Sequence, residues 1–394
     1  MTTTAIEWAQ AVWNPVVGCS LKSTGCINCY AMAMAYRLQQ MEIAHQADHG
    51  AAGALQHYLG LTRKSGPATS ARAVWNGHVA VAPDHVWLAP LKRRKPTLYF
   101  VNSMGDLFHE DVPDEWIDRA FAVMALCRQH KFIVLTKRAE RMRSYFAASN
   151  QWGRRVAPML NDLKPSALWN GNVYQGWQEI HGKGFLPNVA LGVSVENQAT
   201  ADERIPHLLH TPAAIRLISA EPLLGPLDLT AIQAERFVPE DHEIDWKFDC
   251  LTTGDYYWFK SHDFTEGGDG PQRDTQIDWV IAGGESGPNS RPCHPDWARD
   301  LRDQCAAAGV PFFWKQWGDW LPHRPQAGGD LGGDVRAGRV KSVNPSGRSD
   351  VENTLLTGRG GERGVRYMRR IGKAKAGALL DGQLHRAAPD GWSA

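Results

Sequence analysis

Short, almost unbroken apolar runs recur along this chain, and each gives way to small polar residues before a stretch with helical spacing begins. Thr97–Asn102 leads into Ser103, Met104, Gly105 and Asp106, and Phe132–Leu135 into Thr136, Lys137 and Arg138. Val189–Val195, carrying Ser194, leads into Glu196 and Asn197, and Ile215–Ala220, carrying Ser219, into Glu221 and Pro222. Trp279–Ala282 leads into Gly283, Gly284, Glu285 and Ser286, and Pro311–Trp314 into Lys315, Gln316 and Trp317. Runs of this length and composition, separated by helices, read as parallel strands buried on both faces. With a further strand around Ala11–Val17, the pattern predicts an α/β fold of roughly seven βα units. That number suits a complete or partial (β/α) barrel, and a doubly wound open parallel sheet is the alternative. In both architectures the carboxyl ends of the strands form the functional face, so the polar residues after each run are expected to share one mouth.

The helices are legible by the same means. Pro113–His130 carries apolar residues at helical spacing (Trp116, Ile117, Ala120, Phe121, Met124), with proline near its start and acids in its first turn. Pro295–Ala308 repeats the pattern with Gly309 as its stop, and a helix is predicted from Tyr30 to Gln40. Residues 1–322 are expected to form the main body, with insertions at about 41–96, 147–184 and 231–276. A Gly- and Arg-rich flexible loop over 323–364 and a helical tail with a basic face over 365–394 complete the expected organisation.

Composition narrows the function class. Hydrophobic residues make up 43% of the 394, and the formal charge is +1, so any nucleic-acid contact must come from a local patch. No apolar run is long enough to span a bilayer, and the N-terminal residues lack a basic segment followed by an apolar core. The seven cysteines are therefore expected in a reducing cytoplasm, where clustering signals metal binding or catalysis rather than disulfides. Cys127 and Cys305 fall in helical patterns and read as packing residues, and the 16 tryptophans read first as core and rim packing.

Cys19, Cys26 and Cys29 form a C-x6-C-x2-C array on one loop, flanked by Gly18 and Gly25. Thiolates suit iron–sulfur clusters, zinc or copper. A structural zinc site closes with four ligands, whereas a cluster held by three cysteines keeps one iron open to another ligand. Zinc completed by a histidine or a fourth cysteine, and a loop with no metal at all, are the alternatives.

Cys26-x2-Cys29-Tyr30-Ala31, on a loop after the first strand, resembles the cluster loop of radical S-adenosylmethionine enzymes. More closely, the chain resembles a family of phage-type proteins with a three-cysteine motif and a radical-SAM-like core. The matching segments are Trp13–Cys19, Gly105–His109, Leu135–Arg138, Gly192–Asn197, Ser219–Gly225, Gly283–Gly287, Lys315–Gly318 and Lys375–Gly382, with Leu379–Gly382 the clearest part of the last. The first cysteine gap is longer by three residues than the usual C-x3-C-x2-C. The resemblance implies a barrel of radical SAM type, a [4Fe-4S] cluster on Cys19, Cys26 and Cys29, and S-adenosyl-L-methionine on the open iron. It also implies an electron donor, a 5′-deoxyadenosyl radical and hydrogen abstraction from substrate. Under that resemblance Asp106 accepts from the methionine ammonium, Gly283, Gly284 and Glu285 contact adenine, ribose or substrate, and Ser194, Glu196, Asn197, Ser219 and Glu221 take ribose or carboxylate. Lys315, with Lys137 and Arg138, supplies counter-charge.

Each assignment has a plain structural counterpart. Asp106 reads equally as a turn or helix-entry cap, the paired glycines as a tight turn, and the carboxylates as members of a salt-bridge ring. His109 and His294 read first as surface or capping residues. Lys92–Lys95, the Lys137–Arg143 group and Arg366–Lys375 could meet phosphates or simply face water, and Tyr30, Phe108, Trp317 and Trp320 could stack a base. The expected activity is that of a radical S-adenosylmethionine iron–sulfur enzyme with nucleic acid as substrate class. Two alternatives stand beside it: a zinc-stabilised, non-catalytic nucleic-acid- or partner-binding protein, and a metal-dependent hydrolase built on Asp106, Glu196, Glu221 and Glu285.

Overall fold

The computed structural model describes residues 4, 6–67, 71–147, 149–163, 184–233, 244–255, 257–260, 272–273, 275–323, 337–346 and 366–393. The fold is α/β, and its parallel strands are β1 (Ala11–Trp13), β2 (Leu98–Val101), β3 (Lys131–Thr136), β4 (Val189–Ser194), β5 (Ile215–Ala220), β6 (Trp279–Ala282) and β7 (Phe312–Trp314). The chain divides into two compact units: Met1–Val193 with His210–Arg216 and Asp390–Ala394, and Ser194–Leu209 with Leu217–Pro389.

In the first unit the parallel order is β1-β2-β3-β4, with Val12 opposite Phe100, Phe100 opposite Ile133 and Ile133 opposite Ala190. Helix α1 (Tyr30–His49) runs well past the predicted Gln40 and ends where Gly50 turns left-handed at φ 65°. Helix α2 (Asp114–Leu126) starts after Pro113 with two acids in its first turn and buries Ile117, Ala120, Phe121 and Met124, the residues its spacing selects. The segment predicted as an insertion over 41–96 holds the end of α1 and an antiparallel pair, Thr62–Ser65 with Arg72–Trp75. It also supplies Ala80–Val81, which pairs with Val16–Val17. Tyr58, Leu61 and Trp75 from this segment pack with Val17, Ala31, Met32, Ala35 and Met104 into one apolar cluster.

In the second unit the parallel order is β5-β6-β7, with Ile218 opposite Val280 and Val280 opposite Phe312. Strand β6 is buried at all four residues, as a parallel strand covered on both faces must be. The longer described helices here are α3 (Gln198–Leu209) and α4 (Pro295–Ala308), the latter matching its predicted span and closing at Gly309 with φ 69°. In neither unit does the strand order reverse, as it does at the switch point of a doubly wound sheet.

The tail departs from the predicted helix. Arg366–Arg370 is a strand, hydrogen-bonded to Trp320–His323 on one side and Val340–Val343 on the other. Two flanking ladders satisfy its backbone, and only Met368 of its five residues is buried, so no apolar helical face exists to pack. Helix is confined to Lys373–Ala376, bounded by Gly372 and Gly377, both at positive φ. Most of the predicted loop over 323–364, most of the insertion over 147–184 and half of that over 231–276 lie outside the described residues. Among the described residues, no helix is long and apolar enough to cross a membrane.

Candidate functional site

The cysteine loop leaves Val16–Val17 through Gly18, whose φ is 93° and whose α-carbon faces the carbonyl of His78 so closely that a side chain would collide with it. Gly18 forms a parallel bridge with Gly105, and its N–H donates to the carbonyl of Met104 at 3.0 Å. A Cβ on Gly105 would lie 2.9 Å from the Gly18 carbonyl oxygen. The paired glycines therefore let the cysteine loop lie against the loop that follows β2. Beyond Gly18 the chain makes a 3-10 turn at Thr24–Cys26, and Cys29 stands at the N-cap of α1. Cys19 and Cys29 rest on the apolar cluster of Tyr58, Leu61 and Trp75.

Environment separates the three thiols. Burial, then the negative charge of Asp106, pushes the Cys19 thiol up to about 12. Burial likewise raises Cys29, against the helix N–H groups of Ala31 and Met32. Cys26 goes the other way: burial opposes its thiolate, but Lys137, the N–H groups of Lys22 and Ser23 and the Ser23 hydroxyl outweigh it and lower its pKa. The Lys22 N–H reaches Cys26 Sγ at 3.5 Å.

Asp106 is fully engaged. Its Oδ1 accepts from the N–H of Phe108 at 3.0 Å and the hydroxyl of Thr136 at 2.7 Å. Its Oδ2 accepts from the N–H of Lys137 at 3.1 Å and from Arg138 Nη1 at 3.3 Å. These four donors make Asp106 an anchor of this loop cluster. The Arg138 side chain, 3% exposed, crosses the cluster. It donates to Glu110 Oε2 at 3.0 Å, to Ser20 Oγ at 2.5 Å and to Cys19 Sγ at 3.5 Å. Burial works against its charge, yet Asp106 and Cys19 beside it hold its pKa above the ordinary arginine value. His109 Nδ1 accepts from the N–H of Asp111, so Nε2 carries the proton and donates to Ser20 Oγ at 2.9 Å. Burial, then the charge of Arg138, lowers the His109 pKa and keeps the ring neutral.

In the second unit the predicted residues divide. Glu196 is buried against Arg204 Nη1 at 3.3 Å, and the same nitrogen donates to the Ser194 carbonyl at 2.7 Å. Asn197 caps α3, its Oδ1 accepting from the Thr200 N–H at 3.2 Å. Glu285 is clasped by Arg291, whose Nε and Nη2 donate at 2.9 and 2.6 Å. Gly284 packs against the carbonyl of Trp317 and Gly318 against that of Glu285, so these glycines lock two loops together. In this arrangement Glu196, Asn197, Gly284 and Glu285 hold neighbouring backbone and side chains in place. Ser219, Glu221, Gly283 and Lys315 do come together: Lys315 Nζ lies 3.0 Å from Glu221 Oε1, Ser219 Oγ donates to Glu221 Oε2 at 3.5 Å, and Gly283 leaves space for that carboxylate. His294 is the cap of α4, accepting from the Asp296 N–H at 3.1 Å. Phe108, Trp317 and Trp320 are buried and unavailable for base stacking, whereas Tyr30 is 56% exposed.

Sequence reasoning missed Ser20, Glu110, Thr136, Arg204 and Arg291. Arg204 alone left a trace, a charge within the apolar spacing of α3. Thr136 closes β3, and Ser20, Glu110 and Arg291 are polar loop residues with no periodic signal.

Among the described residues, no set of three or more histidine, cysteine, aspartate or glutamate side chains is gathered as a ready metal site. The cysteines nonetheless fit a thiolate-held group by chemistry. All three lie on one loop, Cys19 senses charge on Cys29 and Cys26, and Cys29 senses charge on Cys26. Arg138, Lys137 and backbone N–H groups face the sulfurs. A family described as "Protein of unknown function (DUF5131)" matches residues 3–389. Neither the curated proteins nor the solved structures compared with the chain give a match.

Proposed function

We propose, for a chain that belongs to the DUF5131 family of proteins of unknown function, that the cysteine loop holds an iron–sulfur cluster and that the protein is an enzyme of radical S-adenosylmethionine type. The observation that carries this reading is the loop itself. Three thiols follow the first parallel strand, one of them is biased toward thiolate, and two cations and several N–H donors face them. In-order parallel strands in each unit support a barrel of that type over a doubly wound sheet. Cys19, Cys26 and Cys29 would hold the cluster, which, when bound, supplies an open iron for S-adenosyl-L-methionine and the electron that starts hydrogen abstraction.

The chain's own residues have separable parts in this reading. Cys26 is the thiol whose thiolate Lys137 and the neighbouring N–H groups favour. Cys19 and Cys29 sit over apolar side chains that limit water around the loop. Asp106 fixes the β2 loop against Lys137 and Arg138, and Gly18 and Gly105 fix the cysteine loop against it. In the second unit, Glu221 and Lys315 present an acceptor and an ammonium side by side, a pairing suited to a zwitterion. Nucleic acid is the proposed substrate class, and a low-potential electron donor the proposed partner.

Anaerobic reconstitution with quantification of iron and acid-labile sulfide tests the reading. Wild type is expected to gain about four irons and matching sulfide with broad visible absorption, and Cys26→Ala to lose most of both. A colourless protein holding one zinc and no sulfide would replace this reading with the zinc-stabilised binding protein.

A further inference from the structure

Ser20 Oγ is a crossing point. Arg138 Nη2 donates to it at 2.5 Å, and His109, whose proton must sit on Nε2, donates at 2.9 Å. Two donors fill both lone pairs of the hydroxyl, so its own proton can only be given away. The hydroxyl belongs to the residue after Cys19, and the same guanidinium touches Cys19 Sγ at 3.5 Å and the Ser20 carbonyl at 3.4 Å. Arg138 is itself held from behind by Asp106 and Glu110. Its five N–H groups thus run from two carboxylates to the cysteine loop, in a geometry that a lysine ammonium cannot reproduce.

We propose that Arg138, together with the Ser20 hydroxyl it orients, is a buried clamp that stabilises negative charge on the cysteine loop and so raises the reduction potential of a cluster bound there. The inference rests on the iron–sulfur reading above and adds to it a positioning residue. Thiolates bring negative charge into a half-buried loop, and one electron from a low-potential donor adds another. A fixed guanidinium at hydrogen-bond range of the first ligand, and an O–H whose lone pairs are both occupied so that it acts only as a donor, both favour the more negative state. Neither group touches substrate.

The test is a potentiometric titration followed by electron paramagnetic resonance, on wild type, Arg138→Gln, Arg138→Lys and Ser20→Ala after anaerobic reconstitution, with iron and sulfide measured on each. Arg138→Gln at full iron load is expected to have a more negative midpoint, its reduced-to-oxidised ratio at the wild-type midpoint falling about tenfold, or 59 mV for one electron. Ser20→Ala is expected to shift the same way by less. Arg138→Lys keeps the charge but not the fork and is expected to fall between wild type and Arg138→Gln. Should Arg138→Gln fail to fold, Ser20→Ala decides the matter, since it removes a half-buried hydroxyl alone. Variants that load fully and keep the wild-type midpoint overturn the clamp and leave the cluster reading standing. A wild type that binds no cluster overturns both.

Discussion

Asp106 shows how little a residue's type reveals of its use. A carboxylate after a glycine at the end of a parallel strand is equally an acceptor for a ligand ammonium and an anchor for neighbouring loops. Its four donors, from Phe108, Thr136, Lys137 and Arg138, show it anchoring neighbouring loops, which its residue type alone does not disclose. His130 makes the same point for titration. It is fully buried, its Nε2 lies 3.1 Å from the Pro90 carbonyl, and burial lowers its pKa from the ordinary 6.5. The unfolded chain therefore takes up a proton below 6.5 that the folded chain refuses, so stability is constant above that pH and falls as pH drops through it. His57 and His109, also lowered, act with the same sign. Urea unfolding is expected to show lower stability at about pH 5.5 than at about pH 7.5, and His130→Gln a smaller difference between the two. An unchanged pH difference in that variant would remove His130 from the account.

At the scale of elements, helices α2 and α4 and the parallel strands follow from periodicity because each buries the face or run that its sequence marks. The segment over 41–96 does not. Its mixed composition conceals Leu61 and Trp75, which come beneath the cysteine loop only through antiparallel pairing. The strand at Arg366–Arg370 is another such case, since its partners lie more than twenty residues away in sequence. The junction of Gly18 and Gly105 joins two elements by backbone alone. Gly18→Ala meets both a left-handed φ and the His78 carbonyl. That variant is expected to be destabilised by about 1–3 kcal/mol in chemical denaturation, and its cysteine loop to lose protection from proteolysis. Wild-type stability and cleavage would show that the loop tolerates displacement from β2.

Across the molecule, the seven cysteines fall into two populations. Cys127, Cys250, Cys293 and Cys305 are each 0% exposed, and burial raises the thiols of Cys127, Cys293 and Cys305. Cys19, Cys26 and Cys29 share one loop near cationic groups. Titration with an aromatic disulfide under native conditions is expected to modify only thiols of the loop, the other four reacting after unfolding. Modification of Cys127 or Cys293 in the folded state, identified by peptide mapping, would contradict this. The same division runs through what the chain discloses. The sequence by itself determined the α/β class, the positions of most strands and two helices, and the loop that carries three of the seven cysteines, because burial periodicity and residue spacing are local properties. Tertiary structure alone decided which carboxylates stay open and which are consumed by Arg138, Arg204 and Arg291. It also brought Ser20 and His109 together and placed an apolar floor under the cysteines. Those outcomes depend on which donors arrive from distant loops, and a hydrogen bond leaves no period in the chain that makes it.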